Sequence, residues 1–236
     1  RMEAKGAPAL PRSVSFLQGY HVSRPSELAL DKNWANAEPE RSMAVPIGVR
    51  GDGTPFLFDI HEKRHGPHGL VAGTTGSGKS EMVQSWILSM AVRFPPDVVS
   101  FVLIDFKGTG LLLPFQNPAG VVDDKMNANT RFRWCLKVAN AADSREMLHH
   151  TDAAQITTPG RAYVQVGEDE VYEQIQSYWS GAPYQSFRET AGQTGGQTAV
   201  VDLYGNRHCY EPEKTTGYRS ERKEINAVVD YLDRYC

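Results

Sequence analysis

Residues 71–80 read Val71-Ala72-Gly73-Thr74-Thr75-Gly76-Ser77-Gly78-Lys79-Ser80. Gly73 to Ser80 fits G-x-x-x-x-G-K-[ST], the pattern of a phosphate-binding loop. Glycines at 73, 76 and 78 let the backbone curl until its N–H groups converge on one anion. Lys79 then reaches the outer phosphate oxygens of a nucleoside triphosphate, and the Ser80 hydroxyl holds Mg²⁺. The flanks supply the context this chemistry needs. Gly69 to Ala72 is a short apolar strand. From Glu81 onward, apolar side chains at 82, 83, 86, 87 and 90 mark a helix. Strand, glycine loop and helix together aim a helix N-terminus at the anion. The candidate cofactor-binding residues are Gly73, Thr74, Thr75, Gly76, Ser77, Gly78, Lys79, Ser80 and Glu81. Lys79 is also a catalytic candidate. The implied cofactors are ATP and Mg²⁺, with Ser80 as the metal ligand.

Upstream, Val45 to Val49 and Pro55 to Ile60 form a β-hairpin turning at Arg50–Thr54. Downstream, Phe94-Pro-Pro-Asp stops the helix. Val98 to Asp105 is an unbroken apolar run, expected to be a buried strand parallel to the one before the loop. Arg131 to Val138 is expected as another strand, and Ala142 to Leu148 as a helix capped by Asp143 or Ser144. A second hairpin pairs Arg161–Gly167 with Glu170–Gln176. Ser186 to Thr198, rich in Gly, Gln and Thr, reads as a linker. Thr198 to Tyr204 is a strand, and Glu221 to Tyr235 a helix with apolar residues at 225, 228, 229 and 232.

The expected fold is α/β: a P-loop nucleoside triphosphatase with a mainly parallel central sheet flanked by helices, and a small β-hairpin appendage. Residues 1–45 are a lead-in, 46–184 the core, and 185–236 a linker, strand and helix leading to a next domain.

Composition narrows the partners. The net charge is −3, and Lys and Arg form no run, which speaks against a surface that grips nucleic acid. No apolar stretch is long enough to span a bilayer. The chain starts at Arg1, without a signal peptide, and is read as a piece of a longer protein. Cys135, Cys209 and Cys236 are widely spaced, as reduced thiols in a cytosolic setting would be.

Four motifs in combination carry a family resemblance. They are His65-Gly-Pro-His-Gly-Leu-Val-Ala with the glycine loop, Leu103-Ile-Asp-Phe-Lys-Gly, Asp143-Ser-Arg-Glu, and Tyr178-Trp-Ser-Gly-Ala-Pro-Tyr. The chain resembles the FtsK/SpoIIIE-type ATPases, and within them the EssC/EccC motors of type VII secretion, from about Ser13 to the end. The lead-in Val14-Ser-Phe-Leu and the intact phosphate loop resemble the first of three tandem ATPase domains. The resemblance implies a cytoplasmic domain of a bacterial cell-membrane protein. It further implies neighbouring ATPase domains and subunits in a hexamer, secretion membrane components, and export of WXG-type substrates.

The sequence departs from that pattern at one joint. The family needs an apolar strand ending in Asp-Glu to hold Mg²⁺ and polarise the attacking water. No strand here ends so, and Asp105 and Asp202 are the nearest candidates. Asp105 is favoured for a structural or switch role. Leu111-Leu-Leu-Pro-Phe runs directly into Gln116-Asn-Pro-Ala-Gly, where the family has a further helix–strand–helix segment with an arginine finger. Either a segment is missing between Phe115 and Gln116 or the domain is degenerate. By resemblance, Gln116 is a catalytic candidate sensing the γ-phosphate.

Other patterns have plainer readings. His61-Glu-Lys-Arg-His65 matches a zinc-protease motif, but the following Gly66-Pro67 disfavours a helix, and a solvated loop is expected. His149-His150 reads as a helix end and Asp123-Asp124 as a cap. Arg131 and Arg133 suit a subunit interface or plain surface equally. Trp86 and Trp134 read as core. Three functions compete: a secretion ATPase, a DNA translocase of the same superfamily, and a nucleotide-binding regulatory clamp with little turnover.

Overall fold

The computed structural model describes residues 9–103, 131–167, 170–184, 199–201, 207–209 and 222–235. In chain order the elements are β1 (Val14–Ser15), α1 (Phe16–Gly19), α2 (Leu30–Ala35), β2 (Ala44–Val49), β3 (Pro55–Asp59), β4 (Gly69–Ala72) and α3 (Lys79–Arg93). Then come β5 (Phe132–Cys135), α4 (Ala141–Leu148), β6 (Arg161–Val166), β7 (Val171–Trp179), β8 (Ala199–Val201), β9 (Arg207–Cys209) and α5 (Glu224–Asp233).

The sheet runs β3-β2-β7-β6-β5-β4, with β1 alongside β7. Pairing is parallel at β4–β5 and β1–β7. It is antiparallel at β2–β3, β2–β7, β5–β6 and β6–β7. The described sheet is therefore mixed, with parallel pairing confined to those two places. The first hairpin is no appendage. It joins the sheet through Gly48 and Val49 against Ser177 and Gln176, and its inward residues Val45, Ile47, Phe56 and Phe58 belong to the main core. Alternation explains this: these four apolar residues point at one face, and burying a Phe or Ile side chain contributes roughly 1.5–3 kcal/mol.

α3 is the central beam. One side packs Met82 and Met90 onto the sheet core beside Trp134, Leu136 and Ile175, with Trp86 partly buried there. Its other side gives Leu88 and Val92 to a helical layer formed by Phe16, Leu17, Leu30, Ile225 and Val228 of α1, α2 and α5. A third cluster holds Cys135, Val138, Leu148, Ala153 and Ile156 beneath α4. Trp86 and Trp134 are thus core residues, as expected. β8 and β9 form a separate two-stranded antiparallel pair.

Two further expectations differ from the structure. Residues 98–103 lie in no strand, and Val102 is 70% exposed. The Val98 and Val99 N–H groups both donate to Pro95 O at 3.1 Å, so the turn after α3 takes the donors with which a strand would begin. The parallel neighbour of β4 is β5 instead. The second difference is the cap of α4. Asn140, in extended backbone, accepts from the Ala142 and Asp143 N–H groups at 2.8 and 2.9 Å, so Asp143 and Ser144 lie inside the helix. The Ser144 hydroxyl instead donates to His150 O at 2.7 Å. Asp105, Gln116, Asp123, Asp124, Asp202, the Phe115–Gln116 joint and the expected linker lie outside the described residues.

Candidate nucleotide-binding site

The loop 73–78 connects β4 to α3 as the sequence predicts. Its base is fixed by β5 and the chain after it. Leu136 N donates to Ala72 O at 2.9 Å, and Thr74 donates to Lys137 O through both its N–H at 2.8 Å and its hydroxyl at 3.1 Å. Within the loop, Ser77 N donates to Thr74 O at 3.1 Å. Gly76 and Gly78 have φ of +79° and +95°, the left-handed region that side chains disfavour. A Cβ on Gly76 would meet nothing within 4 Å, whereas one on Gly78 would lie 2.7 Å from Gly160 N. Two separate demands therefore fall on the two glycines.

The first helical hydrogen bond of α3 runs from Met82 N to Gly78 O at 2.9 Å. The N–H groups from Gly78 to Glu81 consequently have no intrahelical carbonyl and face the loop. Side chains at 74, 75, 79 and 80 are exposed, while Ser77 is buried with a hydroxyl that has no partner among the described residues. Open space over Gly76, a helix N-terminus and an unpaired polar atom are what a bound phosphate chain would satisfy. The residues thus fit an anion of this kind.

A second wall comes from a part of the chain that sequence reading missed. The turn before β6 packs on the loop, with Gly160 N donating to Ser77 O at 2.8 Å. Beside this contact lies a cavity of about 450 Å³, lined among others by Arg12, Glu81, Gln176, Tyr178 and Trp179. Its volume suits a ligand of drug size. Glu81 points its carboxylate across α3's first turn to accept from Gly181 N at 2.9 Å and the Ser180 hydroxyl at 3.4 Å. Like Thr74, it is a member of the predicted set whose side chain holds protein. Burial pushes the Tyr178 hydroxyl up to about 12, and it donates to Gly19 O at 3.1 Å.

Residues 61–65 form a turn, not a helix. His61 Nε2 lies 3.0 Å from Glu40 O, and His65 Nδ1 accepts from Asp59 N at 3.2 Å. No metal-ligand cluster occurs among the described residues. His149 ends α4 in a left-handed conformation, as a helix end. Arg131 pairs with Glu170 at 2.9 Å on the surface.

The sequence model of the FtsK/SpoIIIE family matches residues 26–206. The ESX secretion system protein YukB of Bacillus subtilis (strain 168) is 31% identical over 331 aligned residues, covering 96% of this chain and 22% of that protein. The type VII secretion system protein EssC of Staphylococcus aureus (strain NCTC 8325 / PS 47) is 31% identical, covering 95% and 22%. The chain thus spans about a fifth of these relatives' length. The aligned span also exceeds the 236 residues of this chain, so YukB carries residues inside the match that this chain lacks. Among solved structures, the cytoplasmic domain of the Thermomonospora curvata type VII secretion ATPase EccC is similar with a TM-score of 0.67 at 17% identity. That match covers 93% of this chain and 34% of that one, and it shows the same fold. No helix among the described residues is long and apolar enough to cross a membrane. Loop, fold and sequence agree that this chain belongs to the FtsK/SpoIIIE family.

Proposed function

We propose that the chain is the nucleotide-binding ATPase domain of a membrane-associated type VII secretion motor. In this reading it binds Mg-ATP through Gly73–Ser80 and works in a hexamer to export WXG-type protein substrates. The observation that carries it is the loop itself, with left-handed glycines, an open cradle over Gly76 and the N-terminus of α3 behind it. The relatives' roles in type VII secretion speak for export rather than DNA translocation. Lys79 would neutralise the outer phosphates, and the Ser80 hydroxyl would hold the metal. Bound Mg²⁺ would supply charge neutralisation at the phosphate oxygens. Loop N–H groups hold the phosphate chain in place and need no reorganisation as negative charge shifts.

The Asp-Glu carboxylates that would orient the attacking water have no counterpart in this sequence. YukB carries residues inside the match that this chain lacks, and the joint between Phe115 and Gln116 is where the family pattern would place them. The isolated chain is accordingly expected to turn over slowly. The test is steady-state ATP hydrolysis by the assembled motor carrying Lys79→Ala in this domain, with the other domains intact. Loss of this domain's share of turnover supports the proposal. Turnover and export equal to wild type would overturn it.

A further inference from the structure

Resting on the nucleotide reading above, we propose that the lead-in before β1 completes the site. Arg12, with Trp179, binds the base-and-ribose end of the nucleotide, and Arg161 positions Arg12. Residue 12 precedes the matched family region, which starts at residue 26. The placement follows from three fixed contacts. β1 pairs in parallel with the end of β7, setting Ser15 opposite Trp179, so the residues just before β1 run beside that tryptophan. The Arg161 Nη2 donates to Pro11 O at 2.8 Å and to Leu10 O at 3.3 Å, pinning the two residues before Arg12. Arg161 Nε donates to Gln176 Oε1 at 2.9 Å, and Gln176 Nε2 donates to Pro159 O at 3.0 Å. That chain of bonds ends on the same turn whose Gly160 N–H holds Ser77 of the phosphate loop.

Arg12 and Trp179 line the cavity beside Gly76, Gly78 and Glu81. Both side chains are exposed, Trp179 by 43%, although it terminates a strand whose preceding residues are buried. An indole face and a guanidinium plane next to a phosphate loop suit a purine, since bases stack on both. The guanidinium of Arg161 donates to the uncharged oxygens of Leu10, Pro11 and Gln176, and desolvation holds its pKa down. It therefore serves as a structural strut for the lead-in, not as a free cation for the ligand.

The experiment is calorimetric titration of the whole chain with Mg-ADP and, separately, with Mg-tripolyphosphate. Arg12→Ala and Trp179→Ala should each weaken Mg-ADP roughly tenfold, the scale of one charged hydrogen bond or one stacked base. Tripolyphosphate affinity should stay at the wild-type value in both. Arg161→Ala should weaken Mg-ADP to a similar degree, yet add nothing in an Arg12→Ala background, because it acts through Arg12; a residue that acted on the site independently of Arg12 would add its loss in either background. Lys79→Ala serves as the control that weakens both ligands. Wild-type Mg-ADP affinity in Arg12→Ala and Trp179→Ala, with Lys79→Ala impaired, would overturn this inference and leave the loop assignment standing. Equal losses for tripolyphosphate would also overturn it, because Arg12 would then read phosphate charge. If the wild-type chain bound neither ligand, both readings would fall.

Discussion

At the residue scale, two glycines of one loop bear different constraints, and the difference is measurable. Gly76→Ala places a side chain at φ +79° in open space, so it adds conformational strain alone, about 1–2 kcal/mol. Gly78→Ala adds the same strain and a Cβ 2.7 Å from Gly160 N, where backbone must give way. Urea unfolding should therefore show a larger loss for Gly78→Ala than for Gly76→Ala. Equal losses would mean that the turn at Gly160 yields freely. The loop was legible because its requirements are local: glycine spacing encodes the left-handed turns, and the next residues supply the cation and hydroxyl. Arg161 and Trp179 were not, because their roles arise from contact with residues more than a hundred positions away, and Gln176 acts only through Arg161 and the turn before β6. Asn140 was missed for a smaller reason. Asn, Asp and Ser compete for a cap position, and the extended backbone at Asn140 decided it.

At the element scale, α5 is fastened to the end of β7 and to the lead-in. Glu224 N donates to Ala182 O at 2.8 Å and Ile225 N to Ser180 O at 2.9 Å, while the Glu224 carboxylate accepts from Leu17 N at 2.9 Å. The Ser180–Gly181 turn is the one Glu81 holds from α3. Burial raises the Glu224 carboxyl above its ordinary value of 4.5, against the opposing hydrogen bond from Leu17. A folded-state pKa above the unfolded one favours folding while the group is protonated. That contribution is full below pH 4.5 and disappears as pH rises through the raised value. Wild-type stability should thus decline over the window just above pH 4.5, and Glu224→Gln should remove that decline in thermal unfolding across pH. Asp59 acts in the opposite sense and in a lower window. Despite its burial, bonds from Ser42 and from the His61 and Met43 N–H groups hold it below 3.8, so its contribution fades only as pH falls further. Among the elements, hairpins and α3 were legible from alternation and helical spacing. The strand expected at 98–105 was not realised over 98–103. An apolar run states a preference for burial, whereas a strand also needs a neighbour to receive its donors, and Pro95 O receives them here.

At the scale of the whole molecule, one arrangement recurs: separate stretches of chain converge on the loop between β4 and α3. β5 holds its base, the turn before β6 holds its flank, and the lead-in borders the cavity beside it. Among the described residues β4 pairs on one side only, with β5. The fold class was legible from strand, loop and helix, and so were the β2–β3 and β6–β7 hairpins, but the antiparallel β5–β6 and β2–β7 pairs were not, because no short turn joins those strands and periodicity alone cannot give a pair's direction. The chain spans about a fifth of the length of the relatives it matches. The central claim is that Gly73–Ser80 binds Mg-nucleotide. Its most direct test is calorimetric titration of the 236-residue chain with a slowly hydrolysed ATP analogue, with Mg²⁺ and with EDTA, alongside Lys79→Ala. The account predicts one saturable site per chain that needs Mg²⁺ and is weakened at least tenfold by Lys79→Ala, as loss of a charge-assisted contact requires. Binding of equal strength in the variant, or no binding by the wild-type chain, would contradict it.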